Sequence, residues 1–121
     1  MSIDMRKLQR ALDMDGGKHS PADVADQIES GDAKLWSDGD SIIVTQIVDY
    51  PQVRVLSIWL AVGDMGRVRG LLPAIYEYGR ENKCAHAETV CRLGWARVMA
   101  DDGWKREDKV IVMTRGLYGN G

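Results

Sequence analysis

The sequence predicts an α/β fold of the α+β type: a mixed, mostly antiparallel sheet built on a three-stranded meander, a long helix crossing over to a parallel strand, and flanking helices. Three observations predict it. β-branched runs punctuated by turn residues fill Lys34 to Val62, an apolar stripe at helical spacing follows from Met65, and a short strand-like stretch comes directly after that helix. A strand, a helix and a further strand in succession make a crossover unit, and a crossover of this kind calls for parallel pairing.

Taken in order, Ile3, Leu8, Ala11 and Leu12 stand at roughly helical spacing, and Asp15-Gly16-Gly17 stops the helix they form over residues 3–12. Ser20-Pro21 starts a second helix, since Ser can cap free amides and Pro in the first turn gives up no needed bond. Gly31 ends it. Lys34 to Ser37 then reads as a strand, Asp38-Gly39 as a tight turn, Ser41 to Val48 as the second strand, and Val53 to Val62 as the third, with Asp49-Tyr50-Pro51-Gln52 turning between them.

Gly63-Asp64 breaks the third strand, and Asp64 is placed to cap a helix over residues 65–82 whose stripe is Met65, Val68, Leu72, Ile75 and Gly79. Pro73 inside that helix should bend it. Cys84 to Val90 reads as the parallel strand and Arg92 to Ala100 as a short helix closed by Asp102-Gly103. Trp104-Lys105 and Lys109 to Thr114 supply the last strand or strand pair. Gly94 beside Trp95 predicts that a backbone or a bulky ring lies closely over it.

Composition bounds the function classes. The 121 residues are expected to form one domain, with N-terminal helices over about 3–30, a core over about 34–114 and a Gly-rich tail over 116–121. A hydrophobic share of 45% with 28% charged residues is too apolar for a disordered chain. A formal charge of -2 gives no basic field for a phosphate backbone, so no strong nucleic-acid signal exists. No apolar run approaches the ~20 residues of a membrane span. Met1-Ser2-Ile3-Asp4 lacks signal-peptide anatomy, which leads us to expect a cytosolic protein.

The element order, together with Leu35-Trp36, Asp49-Tyr50-Pro51, the strand closing on Gly63-Asp64, the helix with Pro73, and Gly94-Trp95-Ala96-Arg97-Val98 with Asp102-Gly103-Trp104, resembles the GNAT superfamily of N-acetyltransferases. Within it the chain is most similar to the small GNAT-like proteins of tailed bacteriophages, over about Pro21 to Met113. The resemblance implies a loop of the type Arg/Gln-x-x-Gly-x-Gly/Ala, whose amides at a helix N-terminus hold the pyrophosphate of acetyl-CoA. Here the segment is Gly63-Asp64-Met65-Gly66-Arg67-Val68-Arg69-Gly70, which does not match. Asp64 would put a negative charge where the phosphates belong, with Gly66, Arg67 and Arg69 near enough to compensate in part. The Tyr that the family uses to protonate the leaving thiolate has no counterpart over Arg92 to Ala100, and Val53 to Val62 holds no Glu to act as base.

Other motifs dissolve on inspection. Cys84 and Cys91 lack the further ligands of a zinc site, His86-x-Glu88 lacks the Pro-Cys-x-x-Cys of a deaminase, and Asp13-x-Asp15-Gly16 lacks the closing Glu of a calcium loop. Four Trp and no Phe leave indoles to fill the core at Trp59, while Trp36, Trp95 and Trp104, near element ends, either pack in the same way or mark a contact surface. With Tyr50, Arg92 and Arg97 these form the candidate partner contacts.

Two functions are therefore expected of such a chain. The first is a non-catalytic, structural or adaptor component of a phage virion or its assembly. It would contact neck, tail or internal virion proteins, in the host cytoplasm and then in the particle, in multiple copies. The alternative is a small acetyl-CoA-dependent N-acetyltransferase with Gly66 and Arg67 beside the cofactor. Catalytic residues, a metal and a membrane are not expected.

Overall fold

The computed structural model describes residues 5–13, 17–91, 93–109, 111 and 113–118. Its elements are α1 (Met5–Asp13), α2 (Pro21–Ser30), β1 (Lys34–Asp38), β2 (Ser41–Asp49), β3 (Arg54–Val62), α3 (Met65–Glu81), β4 (His86–Thr89), α4 (Leu93–Met99) and a short 3-10 turn, Ala100–Asp102. The chain divides into two compact units, Met1–Val90 and Cys91–Gly121.

In the first unit the strands lie in the order β1-β2-β3-β4. The β1-β2 and β2-β3 pairs are antiparallel and the β3-β4 pair is parallel. The meander and the crossover are as the sequence implies. α2 begins with a reciprocal capping box: the Asp23 amide donates to Ser20 Oγ at 3.2 Å, and the Ser20 amide donates to Asp23 Oδ2 at 2.7 Å. It ends at Gly31, whose φ of 88° is the left-handed conformation that terminates helices.

Two apolar layers clothe the sheet. Leu8 and Leu12 of α1 and Val24 of α2 bury against Ile42 and Val44 of β2 and Leu60 and Val62 of β3. On α3 the buried stripe is Val68, Leu72, Ile75 and Gly79, with Leu56 of β3 directly against Gly79. Met65, the expected first member of that stripe, is only half-buried. Each fully buried aliphatic side chain here contributes roughly 1.5–3 kcal/mol.

One irregularity shapes β3. Val44 pairs with Leu60 but Thr45 pairs with Ile58, so Trp59 is the extra residue of a β-bulge. The bulge turns Trp59 as well as Leu60 toward the α1-α2 layer. There the indole packs at the rim of the core, edge-on to His19 with ring centroids 4.9 Å apart.

The second unit departs from expectation. α4 and its 3-10 extension close at Gly103, φ 89°, as Asp102-Gly103 implies. Of the strand expected over Lys109 to Thr114, the described residues are not in strand conformation, with Ile111 81% and Met113 83% exposed, and Val110 and Val112 lie outside the described residues. Trp104-Lys105 is likewise irregular. Nor do the described residues make the close approach expected at Gly94, since none of them has an atom within 4 Å of where a methyl group there would stand. The closest approaches to a described glycine are at Gly39 and Gly63 instead.

Candidate functional site

β3 ends at Val62 and α3 begins at Met65, so only Gly63 and Asp64 join them. Gly63 has a φ of 120°, and a methyl group on it would stand 2.6 Å from Ser41 Cα, which accounts for glycine at this corner. Ser41, fully buried at the start of β2, accepts the Asp64 amide on its Oγ at 3.0 Å. The corner is thereby clamped to the neighbouring strand.

Asp64 caps α3 as the sequence indicates. Its Oδ2 accepts the Arg67 amide at 3.0 Å, and its carbonyl accepts the Val68 amide at 2.9 Å. The Arg67 guanidinium lies against Gly39 in the β1-β2 turn, where it would collide with any side chain on that residue. Gly66 is exposed, with Asp64 Oδ2 3.3 Å from the position a Cβ would take. These residues do not fit a pyrophosphate. A carboxylate occupies a first-turn amide, the connection is too short to wrap phosphate oxygens, and the guanidinium is drawn toward the turn.

A second feature lies alongside. β4 pairs with β3 only from Val55 to Ile58, so β3 runs on through Trp59–Val62 without a β4 partner. Thr89 closes the paired part by donating its hydroxyl to the Ile58 carbonyl at 3.0 Å. Val90, the next residue, is 86% exposed. The bulge at Trp59 falls directly after the last β3-β4 pair, on the stretch of β3 that leads up to the Asp64 corner.

Within the first unit the expected contact residues Trp36 and Tyr50 do not come together. Trp36 is half-buried on β1 and donates Nε1–H to Thr45 Oγ1 at 3.0 Å. Tyr50 is 52% exposed in the β2-β3 loop, where its backbone exchanges two hydrogen bonds with Val53. Six residues of β2, Val44 to Asp49, lie between it and Ile43, the partner of Trp36, a span of roughly 20 Å. Trp95 and Trp104 are half-buried and Arg97 is exposed, all within the second unit, and Arg92 lies outside the described residues. Sequence reasoning passed over Lys34 and Tyr78, which pack with Trp36. Tyr78 adjoins Gly79 of the buried stripe, the one signal that could have placed it beside the sheet.

His86 Nε2 and Glu88 Oε1 are 2.8 Å apart on the exposed face of β4, an ordinary surface pair. Burial pushes the Cys84 thiol up, against a smaller downward pull from Arg54. Among the described residues no group of three or more His, Cys, Asp or Glu could hold a metal ion, and no helix is long and apolar enough to cross a membrane.

No protein-family model matches the chain, and no curated protein sequence matches it. Solved structures do match in fold. A Trypanosoma brucei acetyltransferase superposes with a TM-score of 0.61 at 14% identity, covering 93% of this chain and 95% of its own. A predicted acetyltransferase from Clostridium acetobutylicum, solved with acetyl-CoA, gives 0.63 at 13% identity, covering 92% of each. A ribosomal-protein-alanine N-acetyltransferase from Brucella melitensis biovar Abortus gives 0.60 at 12%, covering 93% of this chain and 94% of its own. The fold is that of the GNAT acetyltransferases.

Proposed function

We propose that this chain is a non-catalytic domain of the GNAT fold that works through protein–protein contacts, as a structural or adaptor component of a bacteriophage particle or of its assembly. The observation that carries the non-catalytic reading is the Asp64 corner. Where a cofactor-binding chain of this fold would present free amides to a pyrophosphate, a carboxylate takes the Arg67 amide. A fold alone does not confer an activity, because the chemistry lives in the site built on it. The virion placement rests on the sequence resemblance to phage proteins. Neck, tail or internal virion proteins are the proposed partners, met in the host cytoplasm and carried into the particle in multiple copies.

Titration calorimetry with acetyl-CoA and quantitative mass spectrometry of purified particles test the two halves separately. Silence up to millimolar acetyl-CoA, with the chain present in particles at a defined copy number, is the expected result. Acetyl transfer to an amine is the second reading, and the end of the β3-β4 pairing beside the bulge favours it. Micromolar binding with turnover, and absence from particles and assembly intermediates, would establish that reading instead.

A further inference from the structure

Lys34 and Trp36 stand two residues apart on β1 and so project to one side of the sheet. α3 lays Tyr78 on that side. The Trp36 and Tyr78 rings meet edge to face, with centroids 5.4 Å apart and planes at 71°. The Lys34 ammonium sits in the corner between them, 4.7 Å from one ring centroid and 4.6 Å from the other. Among the described residues no carboxylate forms an ion pair with Lys34. The two ring faces are what hold the cation.

The corner is rigid on one side and open on the other. Trp36 is locked by its bond to the buried Thr45 hydroxyl, and Tyr78 by its place on a 17-residue helix. A cavity of about 190 Å³ adjoins it, walled by Lys34, Tyr78, Thr45, Ile47 and the Asp32 turn. The exposed Asp32 carboxylate is steadied on that wall by Ser30 Oγ, which donates to its Oδ2 at 3.0 Å.

We propose that Trp36 and Tyr78 form a binding site for an arginine side chain of a partner protein, and that Lys34 is the stand-in which fills it in the free chain. An ammonium is strongly hydrated and gains little from exposed rings, so an exposed Lys34 on its flexible stem swings out at small cost. A guanidinium is planar, more weakly hydrated and stacks on aromatic faces, and its fork of N–H donors matches a carboxylate of the kind Asp32 supplies. Rings, cavity and carboxylate together therefore select arginine over a neutral side chain. The inference deepens the protein-contact reading and rests on it for the existence of a partner, whereas the site itself is tested without one.

The test follows the Trp36 indole N–H by NMR in the full chain, titrated with acetyl-Gly-Arg-Gly-amide or acetyl-Gly-Gln-Gly-amide at matched ionic strength. The arginine peptide is expected to shift that resonance saturably and the glutamine peptide to leave it in place. Lys34→Met, which removes the stand-in, should tighten arginine-peptide binding about two- to fivefold. Tyr78→Leu should abolish the response while the other indole resonances keep their positions. No saturable shift in wild type, or an equal shift with the glutamine peptide, would overturn the site, and the wild-type titration decides this even if a variant fails to fold. Arginine-peptide binding in a chain that enters no particle and captures no protein would instead overturn the protein-contact reading while supporting the corner.

Discussion

Asp64 Oδ2 accepts the Arg67 amide at 3.0 Å across a single helical turn, at the point where β3 hands the chain to α3. The bond satisfies one of the four amides that a helix start leaves unpaired. Asp64→Ala is therefore expected to cost on the order of 1 kcal/mol, and Asp64→Asn, which keeps an acceptor, distinctly less. Chemical denaturation of the two variants checks this. The same pair of variants separates stability from ligand binding: if the carboxylate is what excludes the pyrophosphate, Asp64→Asn should bind acetyl-CoA better than wild type by calorimetry.

The glycines should divide sharply. Gly63→Ala adds a methyl group 2.6 Å from Ser41 Cα at a φ of 120°, combining backbone strain with overpacking, for a cost of roughly 2–5 kcal/mol. Gly79→Ala meets Leu56 Cδ2 at 3.3 Å, a contact that a small rotation relieves, and gains about 1 kcal/mol of helix propensity, so it should be close to neutral. Gly94→Ala meets no atom of the described residues and should stabilise α4 by up to about 1 kcal/mol. Melting temperatures of the three variants rank them directly.

How much of this was legible in the sequence depended on how local its cause was. Ser20-Pro21, Gly31 and Asp64 announce their helix ends because capping is settled within a few residues. The meander was readable for the same reason, with β-branched runs and turn residues in alternation. Lys109 to Thr114 carries equal β propensity and is irregular in its described residues, because such propensity measures fit to a packed pleated surface and Ile111 and Met113 have none. Nor could Gly94 disclose its surroundings, since whether anything approaches a glycine is decided by residues distant in sequence. At the candidate site, Asp64 was legible. The bulge at Trp59 and the Arg67 contact with Gly39 were not, as each depends on where a separate strand or turn comes to lie.

The α2 capping box gives a pH prediction. The Ser20 backbone amide, and then its hydroxyl, hold the Asp23 carboxyl below the usual carboxylate range. A carboxyl lowered in the folded state contributes stability that is in place above its unfolded pKa and is lost as the pH falls through the folded one. Wild type should thus melt above Asp23→Asn near neutral pH, and the two curves should converge as the pH drops well below about 4. A melting-temperature difference constant across that range would assign the effect to packing.

Truncations at Trp36 and Tyr50 should separate an aromatic on which the fold also depends from one on which it does not. Trp36 is half-buried, and its indole donates to Thr45, so Trp36→Phe is expected to cost about 1 kcal/mol for the lost bond and Trp36→Ala more, for the lost packing as well. Tyr50 is 52% exposed, and the hydrogen bonds of its loop run between backbone atoms of Tyr50 and Val53, which need no ring. Tyr50→Ala should change folding stability by no more than about 0.5 kcal/mol. If the loop is part of a protein interface, the same change should weaken partner capture by about 2 kcal/mol, the scale of a buried aromatic anchor. Denaturation and pull-down on one preparation read both quantities. A Tyr50→Ala chain that retains its partner at full affinity would remove the β2-β3 loop from the interface.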